Sequence, residues 1–80
     1  MIEELASIDK VIGVKQSRKV LRDGRARKVY LACDADPAIT QPIVEACQAQ
    51  EVAVDMDYSL SQLGLACGIT VGAAVVAVLR

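Results

Sequence analysis

Histidine, tryptophan and phenylalanine are absent from the sequence, and Tyr30 and Tyr58 are its only aromatic residues. The lack of histidine excludes the commonest general base of enzymes and the imidazole ligands of many zinc sites. The three cysteines, Cys33, Cys47 and Cys67, are too widely spaced for a zinc motif, and their apolar neighbours favour buried thiols in a reducing compartment. So few aromatics also argue against recognition of nucleic acid by stacked aromatic platforms. The sequence predicts neither a metal site nor a cofactor.

The chain is also short, with 80 residues of which 54% are hydrophobic. A domain of this size buries only about 60–65% of its unfolded surface, so most apolar residues are needed for one core. Disorder and a separate substrate domain are thereby excluded. The apolar run 63–79 contains glycines and barely reaches the roughly 17–25 residues of a membrane-spanning helix. We expect a single domain over 1–80, soluble, cytoplasmic and without a membrane partner.

Charge is strongly segregated along the chain, although the net charge is only −1. Residues 10–28 carry eight of the nine basic side chains against Asp23 alone, a net charge of +7. The remainder carries one basic and nine acidic side chains, a net charge of −8. A concentrated cationic surface steers an anionic polymer to one face, and an acidic remainder limits binding elsewhere. Nothing in the sequence demands more than a monomer.

Helices and strands are predicted to alternate. Apolar residues at helical spacing predict a first helix on Ile2, Leu5, Ala6 and Ile8, and further helices over 14–23, 37–50 and 60–67. Strands are predicted over 11–12, 28–33, 52–56 and 73–79. Gly24 and Gly68 are expected to end two of the helices, and Asp36 to cap the helix that Pro37 opens. This alternation predicts an α/β fold, a three-layer α/β/α sandwich with a small four-stranded mixed sheet.

The helix predicted over 14–23 has a cationic stripe and a separate packing face. At about 100° per residue, the stripe consists of Lys15, Arg18, Lys19 and Arg22. The packing face consists of Val14, Ser17, Val20 and Leu21. Like charges at these spacings repel one another, and a polyanion along the stripe would relieve the repulsion. The stripe is either a solvated face or a binding surface for a polyanion.

Two glycine-containing segments add candidate contacts. Gly13 stands between a strand and this helix, where the backbone can approach a ligand and the free N–H groups favour anions or base acceptors. Lys15 and Gln16 follow it and offer a cationic donor and an amide. The apolar segment 67–72 between the last helix and strand is either a tight turn or a patch against which an unstacked base can lie.

Three stretches together resemble the kink-turn RNA-binding ribosomal-protein family (the L-seven-Ae and L-thirty-e group), especially its short bacterial members. They are IGVKQSRKVLRDG (12–24), KVYLACDADP (28–37) and LGLACGITVGAAVVAVL (63–79). The resemblance implies an α/β/α sandwich that grips a kinked internal loop of RNA beside sheared G·A pairs. It also implies a non-catalytic, ribosomal or ribosome-associated protein.

The resemblance carries over to particular positions. Gly13, Val14, Lys15 and Gln16 match the base-reading turn, and Ile69, Thr70 and Val71 match the loop that supports a flipped-out nucleotide. Lys19 matches a basic helix residue near the RNA backbone, and Lys28 fits a further basic position at the start of a strand. Val14 stands where archaeal relatives have a hydroxyl residue, and Gly72 stands where many relatives have proline.

Two other classes of function stay open. The basic face could bind an acidic partner, which would make the protein a protein–protein adaptor. Alternatively, carboxylates at the ends of two predicted strands could hold magnesium in a phosphate enzyme. Those carboxylates are Asp34, Asp36, Asp55 and Asp57. A phosphate-binding Gly-Lys-Ser/Thr loop is missing, which argues against the enzyme.

Overall fold

The computed structural model describes residues 5–80. Its elements are β1 (Lys10–Ile12), α1 (Val14–Arg22), β2 (Ala26–Leu31), α2 (Pro37–Ala49), β3 (Ala53–Asp55), α3 (Leu60–Ala66) and β4 (Val75–Leu79). Of the first predicted helix, Ile2 lies outside the described residues, and Leu5 and Ala6 form only a short 3₁₀ turn. The other predicted helices and strands are all present, with shifted ends.

The four strands form one mixed sheet in the order β1-β4-β2-β3. β4 runs antiparallel to both β1 and β2, whereas β2 and β3 are parallel. The last strand of the chain therefore lies between the first two, and its burial on both faces explains its continuous run of apolar residues.

Two separate apolar clusters cover the two faces of the sheet. On one face, Val20 and Leu21 of α1 and Ile43 of α2 pack against the strands. On the other face, Leu63 of α3 packs with Leu5 of the N-terminal turn. Because helices cover both faces, the predicted three-layer α/β/α arrangement is confirmed.

Glycines end two helices as predicted. Beyond α1, Gly24 has a φ of 70°, its N–H donates to the Leu21 carbonyl, and the N–H of Arg25 donates to the Val20 carbonyl. Gly68 ends α3 with a φ of 76° and the same pair of bonds. Both ends are Schellman motifs, in which a left-handed residue lets the chain satisfy the last carbonyls.

The prediction for the second strand is wrong at both ends. β2 begins at Ala26, opposite Leu79, and an irregularity in its pairing follows before Lys28. At the other end the chain turns, and the N–H of Cys33 donates to the carbonyl of Tyr58. Cys33 is consequently exposed, which corrects the prediction that it is buried. Within residues 5–80, no helix is long and apolar enough to cross a membrane.

Candidate nucleic-acid interface

The start of α1 is held open by Gly13. This residue has φ 106° and ψ 158°, a backbone region that essentially only glycine occupies. Its N–H donates over 2.8 Å to the carbonyl of Val75, which ties the turn to the beginning of β4. Glycine has no side chain to cap the helix, and the first turn contains no acidic residue. The first N–H groups of α1 are therefore available to an anion or a base acceptor.

The cations of α1 are exposed, and its apolar face is buried. Ser17, Val20 and Leu21 are buried against the sheet. The exposed cations are Lys15, Arg18, Lys19 and Arg22. All four line the same groove, and at about 100° per residue their spacing places them on one side of the helix. Gln16, also exposed, lines that groove beside them, and Val14 is half-buried at its edge.

This groove lies between α1 and α2 and has a volume of about 820 Å³. Its second wall is made by Pro42, Ala46 and Ala49 of α2, with Gln50 beyond the end of that helix. No carboxylate stands among the lining residues of the described chain. Sequence patterns did not reveal the groove, because it arises from two helices packed side by side on the same face of the sheet.

The apolar loop between α3 and β4 lies close to the open start of α1. Val71 is 69% exposed and Thr70 is exposed, whereas Ile69 is half-buried. The backbone carbonyl of Val71 packs so tightly on Gly64 of α3 that no side chain would fit there. From Val71, four residues lead to Val75, the partner of the Gly13 N–H, and they span at most about 14 Å. The turn that follows β1 and the loop that precedes β4 thus lie at the same end of these two antiparallel strands.

Leu65 is an exposed apolar residue that the sequence patterns missed. It is 77% exposed, more than Val71, and follows Gly64 directly. Leu63 and Gly64 form the buried side of α3, so the next residue is turned away from the core. The signal was available in the helical spacing, but the run 63–79 is so uniformly apolar that no single side chain stands out.

Lys28 lies on the opposite face of the sheet from the predicted contacts of α1. It is the third residue of β2, not the start of the strand, and it pairs opposite Val78 on the face that α3 covers. Its ammonium nitrogen lies 4.7 Å from the centre of the Tyr30 ring and 3.8 Å from Asp55 Oδ2. Burial alone would lower the pKa of Lys28, but Tyr30 and the carboxylate of Asp55 outweigh it and raise that pKa above 10.5. Lys28 already has partners within the protein.

Three of the four aspartates proposed for magnesium accept hydrogen bonds from backbone N–H groups of the fold. Asp34 Oδ1 accepts from the N–H of Leu60 at 2.8 Å, and Asp36 Oδ1 accepts from the N–H of Ala38 at 2.9 Å. Asp55 accepts from the N–H of the residue two positions on, besides pairing with Lys28. Within residues 5–80, no group of histidine, cysteine or acidic side chains could hold a metal ion.

Cys47 is buried as predicted, whereas Cys67 is only partly buried. Burial raises the pKa of Cys47, which lies in the core cluster of α1 and α2. Burial also raises the pKa of Cys67, although the nearby charge of Lys10 acts in the opposite direction. A raised pKa keeps these thiols protonated and unreactive at neutral pH.

The chain matches the model of the "Ribosomal protein L7Ae/L30e/S12e/Gadd45 family" over residues 5–80. It belongs to this family. Among its relatives, the RNA-binding protein YbxF of Geobacillus stearothermophilus is 44% identical over 70 residues, covering 88% of this chain and 85% of the relative. An RNA-binding protein of Bacillus pumilus (strain SAFR-032) is 41% identical over 69 residues, covering 86% of this chain and 84% of the relative.

Solved structures with the same fold include an RNA-binding protein and a protein of unknown function. The Giardia lamblia 15.5kD RNA binding protein has a TM-score of 0.89 and 28% identity, over 99% of this chain and 68% of that one. A protein of unknown function from Bacillus halodurans C has a TM-score of 0.91 and 20% identity, over 99% of this chain and 83% of that one, and shows the fold alone. Membership in the L7Ae/L30e family confirms the predicted resemblance and the prediction that the chain is not an enzyme.

Proposed function

We propose that this protein binds RNA and recognises a kink-turn, or a similar bent internal loop with sheared G·A pairs, without catalysing a reaction. The observation that carries the proposal is the open start of α1, an uncapped helix N-terminus at Gly13 with a row of exposed cations behind it. The RNA-binding relatives named above support RNA as the partner. Association with the ribosome belongs to the same proposal, because the family description names ribosomal proteins.

The cations of α1 act on the shape of the RNA. A sharp bend brings two phosphate backbones close together, and their repulsion makes the bent form costly in free energy. Lys15, Arg18, Lys19 and Arg22 on one side of α1 lower that repulsion when the bent backbones lie along them. RNA recognition of this kind depends on shape more than on base sequence.

The turn and the apolar loop add discrimination at the bend. Lys15 donates from an ammonium group, and Gln16 both donates and accepts, so together they can contact the exposed edges of G·A pairs. Ile69 and Val71 offer an apolar surface to a nucleotide that has left the stack, and the exposed residue Thr70 stands between them in the sequence. Lys28 is left out of the α1 part of this surface, since it lies beside Tyr30 and Asp55 on the opposite face of the sheet from α1.

A gel-shift comparison tests the proposal with a kink-forming RNA stem and a twin whose G·A pairs are replaced by Watson–Crick pairs. We expect tighter binding to the kink-forming stem. Lys15→Ala is expected to cost about 1–3 kcal/mol on that stem and less on the twin. Arg27→Ala removes an exposed cation of β2 outside the groove and serves as the matched control. Equal losses on both RNAs for Lys15→Ala would reduce this residue to a general phosphate contact.

The salt dependence tests the number of phosphate contacts. Four to six contacts predict a slope of roughly −3 to −5 when the logarithm of the binding constant is plotted against that of the salt concentration. A flat response contradicts the proposal. Displacement of the kinked stem by poly-glutamate, with no such effect of straight duplex RNA, would favour the protein–protein adaptor instead.

A further inference from the structure

The groove between α1 and α2 begins at the open start of α1 and runs along the length of that helix. Its volume of about 820 Å³ lies within the range of about 300–1,000 Å³ that accommodates small organic ligands. Val14, Lys15 and Gln16 belong both to the helix start and to the groove lining. An RNA strand bound at the start of α1 can therefore extend into the groove without crossing another part of the protein.

The two walls of the groove differ in chemistry. Arg18 and Arg22 stand on the α1 wall, and their planar guanidinium groups can stack on nucleobases as well as pair with phosphates. Pro42 and Ala46 on the α2 wall present a low apolar surface. A nucleobase in the groove would contact a guanidinium plane on the α1 wall and the apolar surface of the α2 wall, while its phosphate pairs with Lys19.

We propose that this groove binds unpaired nucleotides that flank the bent stem, so that the RNA target includes a single-stranded segment next to the kink. The inference rests on the proposed function, since the bent stem delivers the flanking strand to the groove. The described lining contains no carboxylate of its own, and its only ion-paired acidic neighbour within residues 5–80 is Asp23, whose Oδ1 lies 3.8 Å from Nε of Arg22; the excess of cations suits a polyanion. An amphipathic peptide helix fits less well, because it needs deep pockets for large apolar anchors and the α2 wall contains only proline and alanine there.

The test measures dissociation constants for a minimal kink-forming stem and for the same stem with six unpaired nucleotides added at one end or the other. One of the two extensions is expected to tighten binding by wild-type protein about tenfold, the size of one base stack. The double variant Arg18→Gln/Arg22→Gln is expected to lose this gain, so that its affinities for the extended and minimal stems become equal. The readout is the ratio of the dissociation constants for the minimal and the extended stem, because these arginines also contribute to binding of the minimal stem.

A charge-matched control separates the groove from general electrostatics. Arg25→Gln/Arg27→Gln removes the same two charges from exposed positions outside the groove and should keep the tenfold gain. A second pair of variants adds charge instead: Ala49→Glu places a carboxylate in the groove lining and should abolish the gain, whereas Gln48→Glu, exposed but outside the lining, should not. The inference is overturned if neither extension helps the wild type, or if both members of each pair lose the gain equally.

A single-stranded hexanucleotide alone separates this inference from the proposed function. Binding measured by fluorescence anisotropy should be weak for the wild type and at least fivefold weaker for Arg18→Gln/Arg22→Gln than for the control pair. If the kinked stem does not bind but the hexanucleotide shows this pattern, the kink-turn proposal fails, and only the binding of single-stranded RNA by the groove remains of the inference. The groove assignment fails if the stem binds but the hexanucleotide binds equally well to Arg18→Gln/Arg22→Gln and to the control pair. It also fails if poly-glutamate displaces the bound hexanucleotide more readily than RNA does.

Discussion

The helices α1 and α3 begin in opposite ways. At the start of α3, the side chain of Ser59 accepts from the N–H of Gln62 at 3.2 Å, and Gln62 accepts in return from the N–H of Ser59 at 2.8 Å. The carboxylate of Asp34 accepts from the N–H of Leu60, so three donors at this helix start are satisfied. At the start of α1, Gly13 provides no side-chain cap at all.

The difference separates a supporting helix from the helix of the proposed binding surface. The capped α3 holds the apolar loop, whose backbone rests on Gly64. The uncapped α1 depends on its buried face and on the Schellman motif at Gly24 for stability, because a nine-residue helix is marginal by itself. Donors that a cap would have stabilised remain free for a ligand, which places the proposed RNA surface at the less satisfied of the two starts.

Replacing Gly13 should have the largest effect on stability. No atom lies within 4 Å of where a Cβ would stand at this position, so Gly13→Ala introduces backbone strain without a clash. We expect a loss of about 1–3 kcal/mol in the free energy of unfolding, measured by urea denaturation. Gln16→Ala, at an exposed helical position three residues later, should change stability by less than about 0.5 kcal/mol. Similar losses for the two variants would remove the argument for a glycine-specific turn.

The capped start should behave as a purely structural element. Ser59→Ala breaks the capping box and is expected to cost about 0.5–2 kcal/mol of stability. Its affinity for the kink-forming stem, measured well below the melting temperature, should stay within about twofold of wild type, a free-energy change of about 0.4 kcal/mol. A tenfold loss of affinity would show that the cap of α3 takes part in binding and would break the contrast between the two starts.

Charge reversal at the two ends of α1 should affect stability with opposite signs. Lys15→Glu places a negative charge near the free N–H groups and is expected to stabilise the protein by about 0.3–1 kcal/mol. Arg22→Glu places the same charge in the last turn and should destabilise it by a similar amount. Both variants should bind the kinked stem more weakly than wild type. A Lys15→Glu variant that is less stable would contradict an uncapped start.

The smallest effect is expected on the α3 face of the sheet. Asp55→Asn removes the partially exposed ion pair with Lys28, worth about 0–1 kcal/mol, and should leave RNA affinity unchanged. Because the pKa of Lys28 is raised in the folded protein, its contribution to stability is complete below about pH 10.5 and is lost as the pH rises through the folded pKa. Unfolding of Asp55→Asn should accordingly depend less on pH in that alkaline range. Weaker RNA binding by Asp55→Asn would indicate that Lys28 belongs to the RNA interface after all.

Predictions from local patterns succeeded where neighbours along the chain decide the outcome. Gly24 and Gly68 end helices because a left-handed residue is needed there, and Asp36 caps α2 because its side chain reaches an N–H two residues away. The exposed stripe on α1 follows from helical spacing once Val20 and Leu21 are buried. Each of these features depends on a span of only a few residues.

Predictions failed where distant segments decide. The position of Lys28 depends on the register of β2 against β4 and β3 and on the irregularity that precedes it. Cys33 is exposed because the chain leaves the sheet to meet the carbonyl of Tyr58. The wall formed by Pro42 exists only because α2 packs beside α1. None of these contacts can be predicted from the spacing of residues within one helix or strand.

The amino-acid order by itself determined that a cationic helix would follow a glycine turn, and that helices and strands would alternate, because hydrophobic periodicity and capping chemistry operate over a few residues. The tertiary structure decided which other segments lie beside that helix. It brought the apolar loop to the edge where Gly13 meets Val75, turned Lys28 toward Tyr30 and Asp55, and created the groove. The physical reason is that strand register and helix packing are set by burial of both faces of the sheet, which is a property of the whole chain.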